Sequence, residues 1–163
     1  MNTKTMNCII ASVLMVFVYV LFVPIAQAEQ YDMTMCGSGT VTLVSGSPEL
    51  TVLGTDTTGT TLSNLPSKVF GNLTYQCVGV MKIEQGKPTS TSYCRFQDAD
   101  GDGCVGEVNA AGTESSWKFL QGTGKWKGIT GGGKNWPISK VKPIKPGTSQ
   151  GCFRATGAYE LPK

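Results

Sequence analysis

Apolar residues recur through positions 29–163 in short, alternating runs that glycine, proline and serine interrupt. No window keeps apolar residues at three-and-four spacing for the length of a helix, so the pattern predicts strands. The runs richest in β-branched and aromatic residues fall at 40–44, 49–53, 73–83, 92–97, 104–109, 116–121, 125–130 and 152–161. So many short strands in one open sheet would leave edges with unpaired backbone groups, and closure or stacking removes them. The predicted class is all-β: a single up-and-down antiparallel barrel of about eight strands, with a β-sandwich as the alternative.

Turn residues order these strands as a meander. Gly86-Lys87-Pro88 predicts a hairpin that brings Cys77 nearly opposite Cys94, within reach of a cross-strand disulfide. Cys94 and Cys104 also flank the turn at 98–103 and are an alternative pair, while Cys36 with Cys152 would tie the first strand to the last. The segment 137–151 carries Pro137, Pro143 and Pro146 among lysines and reads as an extended, solvated loop.

The start of the chain makes disulfides admissible. A short polar opening with Lys4, an apolar run from Cys8 to Ile25 and the small-x-small pattern Ala26-Gln27-Ala28 read as a signal peptide at 1–28. One domain at 29–163 would follow, periplasmic or secreted, with an uncleaved membrane anchor as the alternative. That domain keeps Cys36, Cys77, Cys94, Cys104 and Cys152, an odd set that leaves one thiol after two bridges. With no histidine and no Cys-x-x-Cys pair, a zinc-type site is not expected.

Net charge is +3, unevenly spread. From Glu29 to Ser115 four basic residues face ten carboxylates, whereas from Ser116 onward nine basic residues face only Glu160. Lys125, Lys127, Lys134, Lys140, Lys142 and Lys145, set among Trp117, Trp126 and Trp136, would form a basic face for an anionic glycan or lipid surface. A solvated outer face with its tryptophans turned inward accounts for the same pattern without a partner. A nucleic-acid partner is not expected.

The stretch GTGKWKGITGGG at 122–133 nearly matches a phosphate-binding loop. Asn135 stands where the magnesium-binding hydroxyl belongs, and Pro137 precludes the helix that should follow, so the stretch reads as sheet. As a strand it would turn Trp126, Gly128 and Thr130 inward and Lys125, Lys127 and Ile129 outward, with Gly128 admitting a neighbour's bulk.

Gly122, Thr123, Gly124, Trp126, Gly128 and Gly131 resemble the G-[GS]-[TS]-G-x-[aromatic]-x-G-x-x-G signature late in allene oxide cyclase-like and dirigent-like barrels, among them small exported bacterial proteins. The Trp117 strand, the Asp-rich hairpin and Gly157-Ala158-Tyr159 are similar in order. The resemblance implies an eight-stranded barrel with a central cavity, often a trimer, in a family whose plant members handle small hydrophobic molecules. It marks Trp117, Gly124, Trp126, Gly128 and Tyr159 as signature and cavity candidates and carries over no activity.

Two further constellations bear on chemistry. Asp98, Asp100, Asp102 and Gly103 match positions one, three, five and six of a calcium loop, but position twelve is Asn109 instead of a bidentate glutamate. A plain hairpin turn is the leading reading and a weak calcium site the alternative; no other cofactor is expected. Lacking histidine, an enzyme would have to use carboxylates such as Glu84, Glu107 or Glu114, or the phenols of Tyr75 and Tyr93. The functional expectation is therefore a non-catalytic exported barrel binding a small hydrophobic ligand or an anionic extracellular partner. A cavity isomerase or cyclase with a buried carboxylate, and a structural or interaction module of the cell envelope, are the alternatives.

Overall fold

The computed structural model describes residues 27–139 and 141–162. Eight strands, β1 (Glu29–Gly46), β2 (Leu50–Ser63), β3 (Thr74–Glu84), β4 (Lys87–Gln97), β5 (Gly103–Ala111), β6 (Glu114–Gly122), β7 (Thr130–Pro137) and β8 (Thr148–Glu160), follow one another round a closed barrel. Every neighbouring pair is antiparallel, and β8 closes onto β1 over the register from Glu29↔Tyr159 to Thr40↔Thr148. Closure removes the edges of an open sheet except along the short β6–β7 pairing, which is the physical reason the meander adopts a barrel and not the alternative sandwich.

The barrel is filled unevenly along its axis. At the end where β1 begins and β8 finishes, Tyr31, Met33, Phe96, Trp117, Phe119 and Tyr159 point inward and are buried. The connection between β2 and β3 crosses this end and inserts Phe70, whose ring stacks on Trp126 at 4.8 Å and on Phe119 at 5.5 Å. Tyr31 and Tyr159 meet the same ring edge-on at 5.3 and 5.2 Å. Thr61, the buried polar side chain of this core, donates to the Phe70 carbonyl and accepts the Leu73 N–H at 3.1 Å, whereas the Tyr31 hydroxyl and the Trp117 and Trp126 indole N–H groups are buried there without a hydrogen-bond partner among the described residues. Gly133 and Gly157 flank the Tyr31 hydroxyl so closely that a Cβ at either would collide with it.

Several expectations from the sequence need correction. The stretch 125–130 is not a strand: Gly124–Trp126 form one turn of 3₁₀-helix, and the Trp126 N–H donates to the Thr123 carbonyl at 2.9 Å. Gly124 and Gly128 adopt φ of +53° and +78°, left-handed conformations incompatible with a strand. Gly128 therefore shapes a turn and does not admit bulk into a sheet, and Ile129 is buried and not outward. The seventh strand is Thr130–Pro137, in the glycine run. β1 and β2 also extend far beyond 40–44 and 49–53.

The two disulfides lie on opposite faces of the wall. Cys77–Cys94 joins directly opposed residues of β3 and β4 and faces the interior, whereas Cys36–Cys152 fastens β1 to β8 on the outer face. The alternative bridge between Cys94 and Cys104 does not form, because Cys94 lies opposite Gly106 and Cys104 opposite Phe96. Cys104 is a free, buried cysteine, and burial pushes its thiol up to about 12, so it is un-ionised and unreactive near neutral pH. The expected signal peptide falls almost wholly on residues 1–26, outside the described ones.

Candidate ligand cavity

Above the aromatic floor the barrel is hollow. A cavity of about 200 Å³ is walled by Met35, Tyr75, the Cys77–Cys94 bridge, Phe96, Val108, Phe153 and Ala155, with Trp117 forming part of its floor. Thr55, Thr57, Ser92, Ser115 and Asn135 add polar groups. Towards the mouth it continues through Thr55, Thr57, Tyr75 and Phe153 into a second space of about 340 Å³ reaching Val41, Leu53, Met81 and Pro137. Strand alternation places these side chains: odd positions of β1 to β3 face in, and the residues between them face solvent. The cavity exists because several inward positions of the upper half are small (Gly37, Gly39, Gly79, Ser90, Ser92) while most of those in the lower half are aromatic.

No carboxylate lines this space among the described residues. Glu84 pairs on the outside with Lys82 at 3.0 Å, and Glu107, also outward, lies 3.6 Å from Lys118 and accepts from Asn109 at 2.6 Å. Tyr93 is outward and half exposed, and Glu114 sits at the β5–β6 turn. These four candidates for cavity chemistry are thus not cavity residues. Tyr75 is; burial pushes its phenol above its ordinary value, so it is a neutral hydroxyl. Tyr31 and Tyr159 are likewise raised, chiefly by burial, and Tyr159 donates to Glu29 at the closed end.

The signature residues divide between floor and turn. Trp117, Trp126 and Tyr159 belong to the aromatic floor, while Gly124 and Gly128 shape the turn beneath it. A Cβ on Gly124 would run into the Asp102 carboxylate, which accepts the Lys125 N–H at 3.1 Å.

The Asp98–Asp102 turn is organised by its own backbone and by a lysine. Asp98 accepts the N–H groups of Asp100 and Asp102 at 2.9 and 3.0 Å, and the Lys125 ammonium sits 2.6 Å from Asp98 and 3.9 Å from Asp100. A cation among these carboxylates would have to displace that ammonium, and no group of three metal-ligating side chains occurs among the described residues. The Lys125 hydrogen bond holds the Asp98 carboxyl below the usual carboxylate range and in turn raises Lys125. A carboxyl depressed in the folded state contributes stability above its unfolded value and loses it as pH falls through the folded one. The expected result is a thermal midpoint that drops on acidification below the ordinary carboxylate range, with a shallower drop in Lys125→Met. Melting curves across an acidic pH series check this. Repeating them with millimolar calcium tests the weak site, which is established if the wild-type midpoint rises.

The lysines do not form one basic face. Strand directions put Lys125 and Lys127 at the closed end and Lys142 and Lys145 in the β7–β8 connection at the mouth, with Lys134 between them on the outer face of β7. Lys140 lies outside the described residues. The sequence reading missed Asn135 and Phe153 as cavity residues, because the first lay beyond the strand expected at 125–130 and the second depends on the β1–β8 register.

No family profile and no curated protein matches the chain. Among solved structures it is similar to a pterocarpan synthase dirigent protein, with 12% identity, a TM-score of 0.53, and coverage of 83% of this chain and 90% of that one. At that identity the likeness is one of fold alone, and what it establishes is an eight-stranded, dirigent-like up-and-down barrel.

Proposed function

We propose that this chain is an exported, non-catalytic barrel that takes a small hydrophobic molecule through its open mouth. The observation that carries the reading is the hollow upper half, apolar on most of its wall and free of carboxylates among the described residues. Export is supported by the two disulfides, which persist in oxidising compartments, and by the signal-like sequence at 1–28. Assembly into a trimer, implied by the family resemblance, would use the exposed apolar strip of Val78, Val80 and Tyr93 on the outer face of β3 and β4.

The solved barrel of similar fold is named as a synthase, which favours cavity chemistry as the second reading. Here that chemistry would rest on the Tyr75 hydroxyl. N-phenyl-1-naphthylamine, whose emission rises in apolar surroundings, tests the first reading. The expected result is saturable enhancement with the wild-type protein and at least a tenfold weaker response in Thr57→Trp, whose indole fills the cavity. Equal enhancement by both proteins would place the dye elsewhere and sink the cavity reading. Native mass spectrometry of protein from the exported fraction of its own host would identify a resident molecule.

A further inference from the structure

The barrel wall is notched beside the cavity. β6 and β7 pair only at Ser116↔Lys134, Trp117↔Gly133 and Lys118↔Gly132. Beyond that level the β5–β6 hairpin ends at Glu114 while β7 runs on to Pro137. An open groove of about 670 Å³ occupies the notch, bordered by Thr91, Asn109, Glu114, Ser116, Lys134 and Trp136.

Groove and cavity meet at one place. Ser115 and Asn135 line both. The Asn135 side-chain oxygen is buried there and receives no hydrogen bond from the described residues. Leaving such an acceptor unpaired is unfavourable, and a donor on a bound molecule would satisfy it. The groove itself offers hydroxyl and amide groups, one positive and one negative side chain, and the Trp136 indole. That ring is 38% exposed although the Arg154 guanidinium lies 6.0 Å from its centroid. Arg154 is in turn fixed by Asp32 at 2.9 Å, so the indole is backed by a rigid pair.

Hydroxyl and amide partners, balanced charges and an exposed aromatic face suit a neutral polyhydroxylated group better than an anion. The cavity beyond has the liquid volume of about seven waters, room for a short alkyl chain or one ring. We propose that the ligand is a glycosidic amphiphile. Its apolar end occupies the cavity, its neutral sugar lies in the notch against Trp136, and a hydroxyl near the linkage donates to Asn135. This assignment rests on the cavity reading given above and narrows it to one ligand class.

Isothermal titration with hexyl β-glucoside, 1-hexanol and methyl β-glucoside, each below any micelle concentration, separates the parts. The glycoside is expected to bind at least tenfold tighter than hexanol and tighter than methyl glucoside. Trp136→Ala should reduce the glycoside towards hexanol's affinity while leaving hexanol unchanged, since Trp136 borders the groove and not the cavity, and Asn135→Leu should also weaken the glycoside; Trp136, on the surface, serves as the variant least able to disturb folding. Hexanol binding as tightly as the glycoside would overturn the sugar subsite and leave the cavity reading standing. No binding of either would overturn both. Methyl glucoside binding as tightly as hexyl glucoside would make the groove a sugar site alone and overturn the two-part ligand.

Discussion

Replacing Cys36 and Cys152 together with serine is expected to cost the barrel about 4 to 5 kcal/mol, more than the same change at Cys77 and Cys94, which should cost about 3. The two bridges span sequence separations of 116 and 17 residues. In the chain-entropy account a cross-link restricts the unfolded chain more as the loop it closes lengthens. Position adds to length. Cys36–Cys152 fastens the seam where the first strand meets the last, the pairing that converts an open sheet into a barrel and the one of greatest sequence separation. Cys77–Cys94 staples a hairpin whose strands are already held together by a short turn. Equilibrium urea unfolding of both double variants checks the order through their midpoints, provided the slopes agree. A larger loss for the hairpin bridge would mean that the interior disulfide acts through packing, not through the chain's entropy.

Phe70→Ala is expected to cost about 3–5 kcal/mol, because it removes the ring on which the closed end is assembled. Phe70 stacks on or abuts Tyr31, Phe119, Trp126 and Tyr159, and its surroundings are barrel wall that cannot collapse inward to fill the space. A second feature sharpens the test. Phe70 has φ of +53°, a left-handed conformation that costs a residue with a side chain about 1–2 kcal/mol. The aromatic contacts outweigh that cost. Phe70→Gly loses the same ring but relieves the backbone, so it should be no less stable than Phe70→Ala, the reverse of the order at an ordinary position. Thermal and urea unfolding of the two variants would show it. Glycine falling well below alanine would mean that the connection changes path once the ring is gone.

Much of the architecture is legible in particular residues. The alternation in 73–83 and the nearby glycine identify β3 and its pairing with β4, but the two-residue turn is Gln85-Gly86, with Lys87 and Pro88 already in β4, and the register follows from that turn. The long upper part of β2 was harder to read. Residues 54–61 are glycines, threonines and Asp56 with no large apolar residue, so nothing there signals an inward face. The inward side is nevertheless defined, because Gly59 sits so close to Tyr75 that the neighbouring ring supplies the bulk its own strand lacks. β7 hides for a related reason: 130–134 has three glycines, and its strand conformation comes from pairing with β8 across the whole register from Thr130↔Glu160 to Pro137↔Phe153. The opposite error occurred at 125–130, where Trp126 and Ile129 carry a strand-like composition but two left-handed glycines force a turn.

The sequence by itself determined the class of the fold and the approximate number of strands, because alternation and turn chemistry are local properties with a period of two, while it left three candidate cysteine pairs from which the strand register selected two. It also set the composition of the cavity wall, since the small inward residues of the upper strands are encoded position by position. Only the tertiary structure decided which of those positions share one space. Closure of β8 onto β1 brings Phe153 opposite Met35, and the short β6–β7 pairing opens the notch that joins Asn135 to the groove. It also scattered the lysines of the C-terminal third between the two ends of the barrel. In a meander, residues adjacent in sequence are carried to opposite ends by each successive strand, so a charge cluster in the chain need not be a charge cluster in space.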